Sequence, residues 1–459
     1  MTQLEKLPAF KAYDIRGRLP EQLNEFMVYC IGKAYARIIK PTQTIAVGKD
    51  IRLSSQTLSQ ALMAGLNSEG VATVDIGLCG TEMIYFAAAQ EGMAGGIMVT
   101  ASHNPADYNG LKMVKEGARP ISADTGLGEI EQETIRLMKE TVAPTAYNTR
   151  PELHSEQDVL SGYVAKLLSL IDISKLAPLH LLVNAGNGCA GPFFDALAQH
   201  LPIKVTRLHH QPDGTFPNDV PNPMLLEQQL LTSKAVVEAG ADIGIAWDGD
   251  FDRCFFFDEK GRFIEGYYLV GLLAEQLLKK SPKSAIVHDP RLEWNTIEKV
   301  QAQEGRAVVC KCGHSFIKDK MRAEDAVYGG EMSAHHYFRD FYYCDSGMIP
   351  WLLIIELLSE QGRPFSQVVD QCMADFPCSG EINFTIANAK EALARVQQHY
   401  APQALTISAL DGVSMEFADW RVNVRSSNTE PVVRLNVETR ANPTLLALRI
   451  EELKGLLMA

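Results

Sequence analysis

The sequence predicts an α/β protein with three similar α/β domains, whose sheets are mixed and mostly parallel, and a C-terminal α+β domain. Three observations predict this fold class. Short β-rich apolar runs alternate with helical stretches, each run ends in a Gly- or Asp-rich loop, and the character of the chain changes after about residue 370. At roughly 100–200 residues per domain, the 459 residues suffice for about three or four domains.

Composition and charge exclude several classes of protein. With 46% hydrophobic and 22% charged residues, the chain does not resemble disordered, collagenous or coiled-coil proteins. With a net charge of −13, the protein lacks the positive long-range field that concentrates proteins on nucleic acid or anionic membranes. No uncharged apolar run reaches the ~18 residues of a membrane span, and the start does not resemble a signal peptide. Nine scattered cysteines without a C-x-x-C pair indicate reduced thiols. We therefore expect a soluble, cytoplasmic protein.

The three α/β blocks repeat one rhythm of strand, loop and helix. In the first block a strand ends in Gly48-Lys49-Asp50, and the helix that follows stops at Gly70. Because ligands bind beyond the carboxyl ends of parallel strands, we expect the loops after these strands to form the site. The blocks are predicted to be divergent copies of one α/β unit. The strands on which this rests are Thr44–Val47, Val71–Ile76, Gly96–Val99, Leu179–Val183, Asp242–Trp247 and Ala285–Val287.

The C-terminal residues are predicted to form an α+β module. Phe376–Gly380 is typical of a linker, and a final helix is expected to begin at Asn442-Pro443. Two strands are expected before it, and the apolar faces of these strands and of the helix are Trp420, Val422 and Val424; Val433, Leu435 and Val437; and Leu446, Ile450, Leu453 and Leu457. The predicted domains are residues 1–153, 154–255, 256–370 and 371–459, with one functional loop in each.

The segment Asp248-Gly249-Asp250-Phe251-Asp252-Arg253 follows a predicted strand directly. In extended chain, residues at i, i+2 and i+4 point to one side, where three carboxylates repel one another unless a cation lies among them. Oxygen ligands favour Mg²⁺, Mn²⁺ or Ca²⁺. An EF-hand is disfavoured because Arg253 occupies the position of its glycine and strands flank the loop. A solvated acidic turn is the structural alternative.

The segment Thr100-Ala101-Ser102-His103-Asn104-Pro105 follows the strand Gly96–Val99. Its tight turn indicates a held, exposed hydroxyl, and it lacks the G-x-S-x-G elbow of hydrolases. A phosphoryl group on Ser102 would place negative charge beside the aspartate loop, where a divalent cation could bridge the two. Taken alone, this hexapeptide is an ordinary turn as often as a site.

Two later loops and several basic residues complete the candidates. The segment Arg425–Pro431 offers a guanidinium, hydroxyls and an amide, which are donors suited to a phosphate monoester, although ordinary hairpin loops have this composition too. The segment Gly329–His336 offers a carboxylate, a hydroxyl and imidazoles for sugar hydroxyls, although a single histidine is usually structural. Other basic candidates, each expected in or near a loop after a strand, are Arg16, Lys112, Arg291, and His314 with Lys318.

In this order, the four loops resemble those of the α-D-phosphohexomutases, and the resemblance extends from the Lys11–Gly17 motif to the final helix. It implies four domains around one central cleft, each contributing one loop. The wording Gly-Glu-Met-Ser-Ala-His-His-Tyr-Phe is most similar to bacterial members that act on mannose phosphates and supply GDP-mannose for surface polysaccharide.

The resemblance also implies roles for individual residues. Ser102 would carry the phosphoryl group, and Asp248, Asp250 and Asp252 would bind Mg²⁺ together with the phosphate on Ser102. Glu331 and Ser333 would bind the sugar hydroxyls, and Arg425, Ser427, Asn428 and Thr429 would bind the phosphate that is not transferred. The residues expected around the reacting groups are Arg16, His103, Lys112, Arg253, His314 and His335. Arg291 stands where relatives commonly have lysine, which leaves the general acid/base open between His314 and Lys112.

The implied reaction interconverts mannose 1-phosphate and mannose 6-phosphate through a phosphoserine enzyme and a hexose 1,6-bisphosphate, which also serves as activator. The expected partners are small hexose phosphates, with neither nucleic acid nor a membrane, and the expected assembly is a monomer or homodimer. Three alternatives remain. They are a mutase that also accepts glucose phosphates, a metal-dependent sugar phosphatase with Asp248 as nucleophile, and a non-catalytic sugar- or metal-binding protein.

Overall fold

The computed structural model describes residues 6–426 and 432–459, which fall into two compact units. The first unit comprises residues 6–261 and Asp340–Glu360. The second unit comprises Arg262–Arg339 and the described residues from Gln361 to Ala459.

Strands and helices alternate over most of the described chain. The strands are β1 (Ile15–Arg18), β2 (Thr44–Lys49), β3 (Thr73–Leu78), β4 (Met93–Val99), β5 (Tyr108–Lys115), β6 (Arg119–Pro120), β7 (His154–Glu156), β8 (His180–Asn184), β9 (Lys204–Leu208), β10 (Ile243–Trp247), β11 (Cys254–Asp258), β12 (Phe263–Ile264), β13 (Ala285–His288), β14 (Arg306–Val309), β15 (Tyr328–Gly330), β16 (His336–Phe338), β17 (Cys344–Asp345), β18 (Ile382–Thr385), β19 (Thr406–Ser408), β20 (Val413–Glu416), β21 (Trp420–Ser426) and β22 (Val432–Thr439). The helices are α1 (Glu25–Ile39), α2 (Ser55–Ser68), α3 (Thr81–Ala88), α4 (Leu127–Glu140), α5 (Leu160–Leu168), α6 (Ala190–Ala198), α7 (Leu226–Ala239), α8 (Gly266–Lys280), α9 (Trp294–Ala302), α10 (His314–Glu324), α11 (Met348–Gln361), α12 (Phe365–Asp375), α13 (Ala389–Tyr400) and α14 (Pro443–Met458).

Three sheets share one topology. Their main strands, called a, b, c and d in chain order, are β2 to β5, β8 to β11, and β13 to β16. In every case the spatial order is d–c–a–b, strands a, b and c are parallel, and strand d runs antiparallel to c. The repeat predicted from the rhythm of the sequence is therefore confirmed, and so is the α/β fold class. The first copy adds β1 and β6 beside β5, and β7 beside β3.

The main strands are apolar because most are buried. All five residues of β10 and all five of β11 are buried, as expected for sheets covered on both faces. In the first copy, α1 and α2 approach closely at two glycines. A Cβ on Gly65 would lie 2.2 Å from the carbonyl oxygen of Tyr29, so a larger residue would separate these helices.

The fourth domain is an antiparallel sheet with two helices, α13 and α14. Its strand order is β18-β22-β21-β20-β19. The predicted strands and final helix are present, and the rings of Phe417 and Trp420 stack with centroids 4.1 Å apart. Of the predicted helix stripe, Leu453 and Leu457 are buried, whereas Leu446 and Ile450 are partly buried. Strands β18 to β20 and α13 were not predicted, because they carry short or mixed patterns.

Several local expectations differ from the structure. Arg16 lies within β1 and Lys112 lies within β5, whereas each was expected in or near a loop after a strand. The predicted limit after residue 255 falls within β11, which pairs with β10 as far as Asp258. The limit after residue 153 falls directly before β7, which pairs with β3. Among residues 6–426 and 432–459, no helix combines the length and apolar character needed to cross a bilayer.

Candidate functional site

The turn from strand c to strand d carries the candidate residues in all three copies. In the first unit, the turn after β4 holds Ser102 and the turn after β10 holds the three aspartates. The corresponding turn in the second unit, after β15, holds Glu331. A shared topology therefore explains why three motifs that are far apart in sequence occupy equivalent positions.

Ser102 is held in an unusual backbone conformation. Its φ is 51°, in the left-handed region that a residue with a Cβ adopts rarely. Its N–H donates to Thr100 Oγ1 at 2.9 Å, and its hydroxyl donates to Asp248 Oδ2 at 2.5 Å. The side chain points at the aspartate loop, as the sequence predicted, although the residue is 2% exposed.

The two turns of the first unit can meet because Gly249 has no side chain. A Cβ at this position would lie 2.5 Å from the carbonyl oxygen of Ser102. Backbone atoms do not yield at that distance, so any larger residue would push the aspartate loop away from the serine. The predicted Asp-Gly-Asp sequence thus needs its glycine for this close approach.

Asp248, Asp250 and Asp252 form a buried cluster suited to a metal ion. One carboxylate oxygen from each lies within 4.8 Å of the other two. Asp250 accepts hydrogen bonds from Thr81 Oγ1 at 2.5 Å and Lys112 Nζ at 2.7 Å, both at Oδ2. Its other oxygen, Oδ1, is buried and has no hydrogen-bond partner among the described residues. A buried oxygen without a donor is costly unless a cation binds it, so the residues present fit a divalent ion.

Lys112 brings a positive charge to this cluster. Strand β5 runs back from the Ser102 turn, and Lys112 Nζ lies 2.7 Å from Asp250 and also contacts Asp252. Burial disfavours the charged amine, but these two carboxylates outweigh it and raise the pKa of Lys112. The amine is therefore protonated at neutral pH and has no free lone pair with which to act as a base.

Arg253 and His103 lie beside the serine hydroxyl. Arg253 donates to Asp248 Oδ2 from Nε at 3.0 Å and from Nη2 at 2.8 Å, and it also donates to His103 Nδ1. That ring nitrogen lies 3.0 Å from Ser102 Oγ. Burial and the nearby Arg253 hold the pKa of His103 well below its usual value, so the ring is neutral. Burial raises the pKa of Asp248 despite Arg253.

Arg16 contacts the same serine turn from the first strand. Its Nε donates to Asp14 at 2.7 Å, and its Nη1 donates to Asn104 Oδ1 at 2.8 Å. The structure thus brings together, within the first unit, every predicted residue of the Ser102 and aspartate loops.

Glu331 is the centre of the loop in the second unit. It is 4% exposed and accepts hydrogen bonds from Tyr337 Oη at 2.6 Å and Gly313 N at 3.0 Å. His335 Nδ1 lies 3.9 Å from the same carboxylate. His314, the first residue of α10, follows the bound Gly313 directly. His314 and His335 therefore both lie near the Glu331 loop, and their expected place around the reacting groups stays a prediction.

Two predicted arginines converge on a carboxylate that sequence analysis missed. Arg425 Nη2 donates to Glu381 Oε2 at 2.8 Å, and Arg291 Nη1 lies 3.6 Å from that oxygen. Arg291 Nη2 also lies 3.4 Å from Ser333 Oγ. The Nε atoms of both arginines are buried and find no hydrogen-bond acceptor within the described ranges. Buried donors of this kind fit an anion such as phosphate. Three residues that were predicted to bind phosphate together with Arg425 lie outside the described residues, namely Ser427, Asn428 and Thr429.

Three residues that contribute to these groups were not predicted. Arg52 follows strand a of the first copy in Asp50-Ile51-Arg52, and the same spacing in Asp289-Pro290-Arg291 after β13 was a usable signal. Thr81 and Glu381 carry no comparable local signal, because only the tertiary structure brings them to Asp250 and to the arginines.

Comparisons with known proteins agree with this arrangement. Four models of phosphoglucomutase/phosphomannomutase domains match: α/β/α domain I at residues 8–140, domain II at 161–261, domain III at 265–376 and the C-terminal domain at 381–454. A protein of Xanthomonas campestris named "Phosphohexose mutases" is 56% identical over 98% of this chain and 99% of its own length. The "Phosphomannomutase" of Escherichia coli K12 is 53% identical over 99% of this chain and 100% of its own length. A crystal structure of a phosphoglucomutase/phosphomannomutase family protein from Burkholderia thailandensis is 30% identical, with a TM-score of 0.86, over 98% of this chain and 96% of that one.

Proposed function

Because the chain belongs to the phosphoglucomutase/phosphomannomutase family, within the α-D-phosphohexomutase superfamily of isomerases, we propose that it interconverts α-D-mannose 1-phosphate and D-mannose 6-phosphate. It is an intramolecular phosphotransferase, and the proposal concerns its sugar and its chemistry. The observation that carries the proposal is the buried hydroxyl of Ser102, 2.5 Å from Asp248 within a cluster of three carboxylates.

Ser102 is proposed to carry the phosphoryl group in transit. The O6 hydroxyl of mannose 1-phosphate attacks phosphorus, the bond from O6 to phosphorus forms, and the bond from phosphorus to Ser102 Oγ breaks. The O6 proton passes to a base, and Oγ receives a proton. The resulting 1,6-bisphosphate turns around and returns its other phosphoryl group to Ser102, which leaves mannose 6-phosphate. A hexose 1,6-bisphosphate also serves as activator, because it phosphorylates an unmodified Ser102.

Mg²⁺ is the proposed metal, held by Asp248, Asp250, Asp252 and the phosphate on Ser102. The donor set of hard oxygens and the unpartnered Asp250 Oδ1 support this choice. When bound, the ion neutralises negative charge on the phosphoryl oxygens. Arg253 lies against the same Asp248 oxygen that accepts from Ser102, so it is placed to stabilise that charge as well.

Proton transfer is divided between two residues in this proposal. Lys112 is a cation, and we assign to it the role of the acid that protonates Ser102 Oγ. His314 is assigned the base that accepts the sugar proton. Neutral His103 accepts a hydrogen bond from Arg253 and thereby holds that guanidinium next to the reacting oxygen.

The residues of the second unit are proposed to recognise the substrate. Glu331, Ser333 and His335 would bind the sugar hydroxyls. The buried donors of Arg291 and Arg425, with the loop residues Ser427, Asn428 and Thr429, would bind the phosphate that is not transferred. Arg16, in the first unit, would contact the phosphate on Ser102, since it already donates a hydrogen bond to Asn104 of the same loop.

A second candidate is a mutase that accepts glucose phosphates as well. It is favoured by the relative in Xanthomonas campestris, whose name covers phosphohexoses in general and whose identity to this chain is 56%. The ratio of kcat/KM for mannose 1-phosphate and glucose 1-phosphate separates the two candidates. A sugar phosphatase would instead release inorganic phosphate and leave Ser102 unmodified, and a binding protein would form no isomerised product.

The decisive variant is Ser102→Ala. We expect kcat to fall by about 10⁴-fold or more, and the intact mass to lose the increment of roughly 80 Da that phosphorylation adds. Ser169→Ala, which changes an exposed serine directly after α5, is the matched control and keeps both the activity and the phosphoryl increment. Robust turnover by Ser102→Ala would end the proposal.

Other features of the enzyme remain proposals. They are a cytoplasmic location, supply of GDP-mannose for surface polysaccharide, a monomeric or homodimeric state, and domain limits near residues 153, 255 and 370.

A further inference from the structure

Arg52 lies behind the Ser102 turn and binds its backbone at four points. Nη1 donates to the carbonyl oxygens of Pro105 at 2.7 Å and Tyr108 at 2.9 Å. Nη2 donates to those of Ser102 at 2.9 Å and Asn104 at 2.6 Å. One buried guanidinium therefore satisfies four carbonyl groups of a single loop, including that of the serine itself.

The loop requires a cation at this place. Four carbonyl dipoles that converge on one point repel one another unless a positive group lies among them. Arg52 is itself held at both ends. Its backbone N–H donates to Asp50 Oδ1 at 3.0 Å, and its guanidinium lies over the ring of Phe216, 5.4 Å from the ring centroid. Asp50 Oδ1 is held in turn by Ser55 Oγ at 2.5 Å.

This arrangement fixes both backbone polar groups of Ser102. The N–H binds Thr100 Oγ1 and the carbonyl oxygen binds Arg52, which holds the residue at its φ of 51°. A non-glycine residue rarely adopts that region and persists there only where its surroundings determine it. In that conformation, Oγ reaches Asp248.

The three copies of the repeat differ at this position in an informative way. Strand a is followed by Asp50-Ile51-Arg52 in the first copy and by Asp289-Pro290-Arg291 in the third, and each aspartate accepts from the N–H of its arginine. In the second copy, Asn184 makes the same contact to Gly186, so no guanidinium lies there. The second copy is the one whose turn carries the three aspartates.

We propose that Arg52 is a positioning residue for phosphoryl transfer. Arg52 sets the left-handed conformation of Ser102 and thereby directs its Oγ toward the metal-binding aspartates. The inference rests on the proposed function, because it assumes that Ser102 carries the phosphoryl group. Arg52 contacts loop carbonyls and not the hydroxyl, so its effect is on geometry. Misplacement of reacting groups by about 1 Å can cost about 10²-fold in rate.

The test compares Arg52→Met and Arg52→Lys with Arg136→Met, an exposed helix arginine that serves as control. Each protein is phosphorylated with glucose 1,6-bisphosphate, and its occupancy is read from the intact mass. The transfer rate from Ser102 to mannose 1-phosphate is then measured in a single turnover, per phosphorylated molecule. We expect Arg52→Met to be about 10²-fold slower. Arg52→Lys is expected between it and the wild type, because an ammonium has three donors for four carbonyls. Arg136→Met keeps the wild-type rate.

A purely structural role predicts another result. Loss of stability lowers the melting temperature and the phosphorylated fraction, but it leaves the rate per phosphorylated molecule and the ³¹P resonance of the phosphoserine unchanged. A wild-type transfer rate in Arg52→Met would overturn the inference. If that variant does not fold, Ser55→Ala removes the hydrogen bond to Asp50, together with the one that Asn109 Nδ2 donates to Ser55 Oγ at 2.9 Å, and we expect a several-fold slower transfer. An unchanged rate in that variant would overturn the inference equally. If wild-type protein takes up no phosphoryl group, the proposed function itself fails.

Discussion

The aspartate cluster of the first unit and the pair Arg291 and Arg425 of the second unit present opposite kinds of unsatisfied atom. In the first unit, a carboxylate oxygen of Asp250 is buried without a donor, among three aspartates that face one lysine and one arginine. In the second unit, the Nε donors of Arg291 and Arg425 are buried without an acceptor in the described chain. The first group of residues therefore fits a cation and the second fits an anion. The difference teaches that loops of one chain leave buried atoms of opposite polarity unsatisfied, an acceptor at Asp250 and donors at Arg291 and Arg425.

The largest expected effect is on the cation site of the first unit. Asp250→Asn removes one charge from the cluster and weakens its hold on a divalent ion, so we expect kcat to fall by about 10³-fold while KM changes little. Steady-state kinetics over a Mg²⁺ titration measure this, and chelation of the metal from wild-type enzyme should mimic it. Asp172→Asn at the surface is the control. Full activity of Asp250→Asn without added metal would remove the contrast between the units.

A smaller effect is expected from Arg425 in the second unit. Arg425→Met deletes a charged donor, and because hydrogen bonds to charged groups contribute about 1.5–3 kcal/mol, KM should rise roughly 10- to 100-fold. The kcat value should stay within a few-fold of wild type, since Arg425 is proposed to bind the phosphate that is not transferred. Arg306→Met, on an exposed ion pair, is the matched control. A loss in kcat at unchanged KM would place Arg425 in the chemical step and contradict the comparison.

The preference between mannose and glucose phosphates tests whether Glu331 of the second unit binds the sugar hydroxyls. Glu331→Gln keeps the side-chain shape but replaces one acceptor oxygen with a donor, so either Tyr337 or Gly313 loses its acceptor. We expect the preference for mannose 1-phosphate over glucose 1-phosphate, measured as the ratio of kcat/KM values, to fall by about 10-fold. Equal losses for both sugars would show that Glu331 supports the loop without reading the hydroxyls.

The smallest expected effect is a pH dependence of stability in the second unit. His336 is buried beside Tyr328, whose hydroxyl lies 2.7 Å from Nδ1, and burial lowers the pKa of His336 to about 3. The unfolded chain therefore binds a proton that the folded chain excludes, and stability falls as the pH drops from about 6.5 toward 3, by at most ~1.4 kcal/mol per pH unit. Urea unfolding of wild type and His336→Phe at pH 7.5 and 5.5 measures this contribution. An identical pH dependence in both proteins would contradict it.

The sequence predicted the residues of the first unit better than those of the second. Ser102 and the aspartates lie in contiguous motifs directly after buried strands, where a short continuous apolar run ends in a turn. Arg52 had a weaker signal, and Glu381 had none, because its role depends on two arginines that are remote in sequence. Lys112 was predicted as a candidate residue, but its position on a strand was not. That strand, β5, returns antiparallel from the serine turn.

Sequence alone determined the α/β class, the threefold repeat and the loops that hold the candidate residues, because local periodicity and turn composition depend on adjacent residues. Only the tertiary structure decided which oxygen of Asp250 lacks a donor, that Lys112 is a cation, and that one guanidinium closes the turn around Ser102. Those properties depend on burial and on distances between groups brought together by folding, which no local pattern encodes.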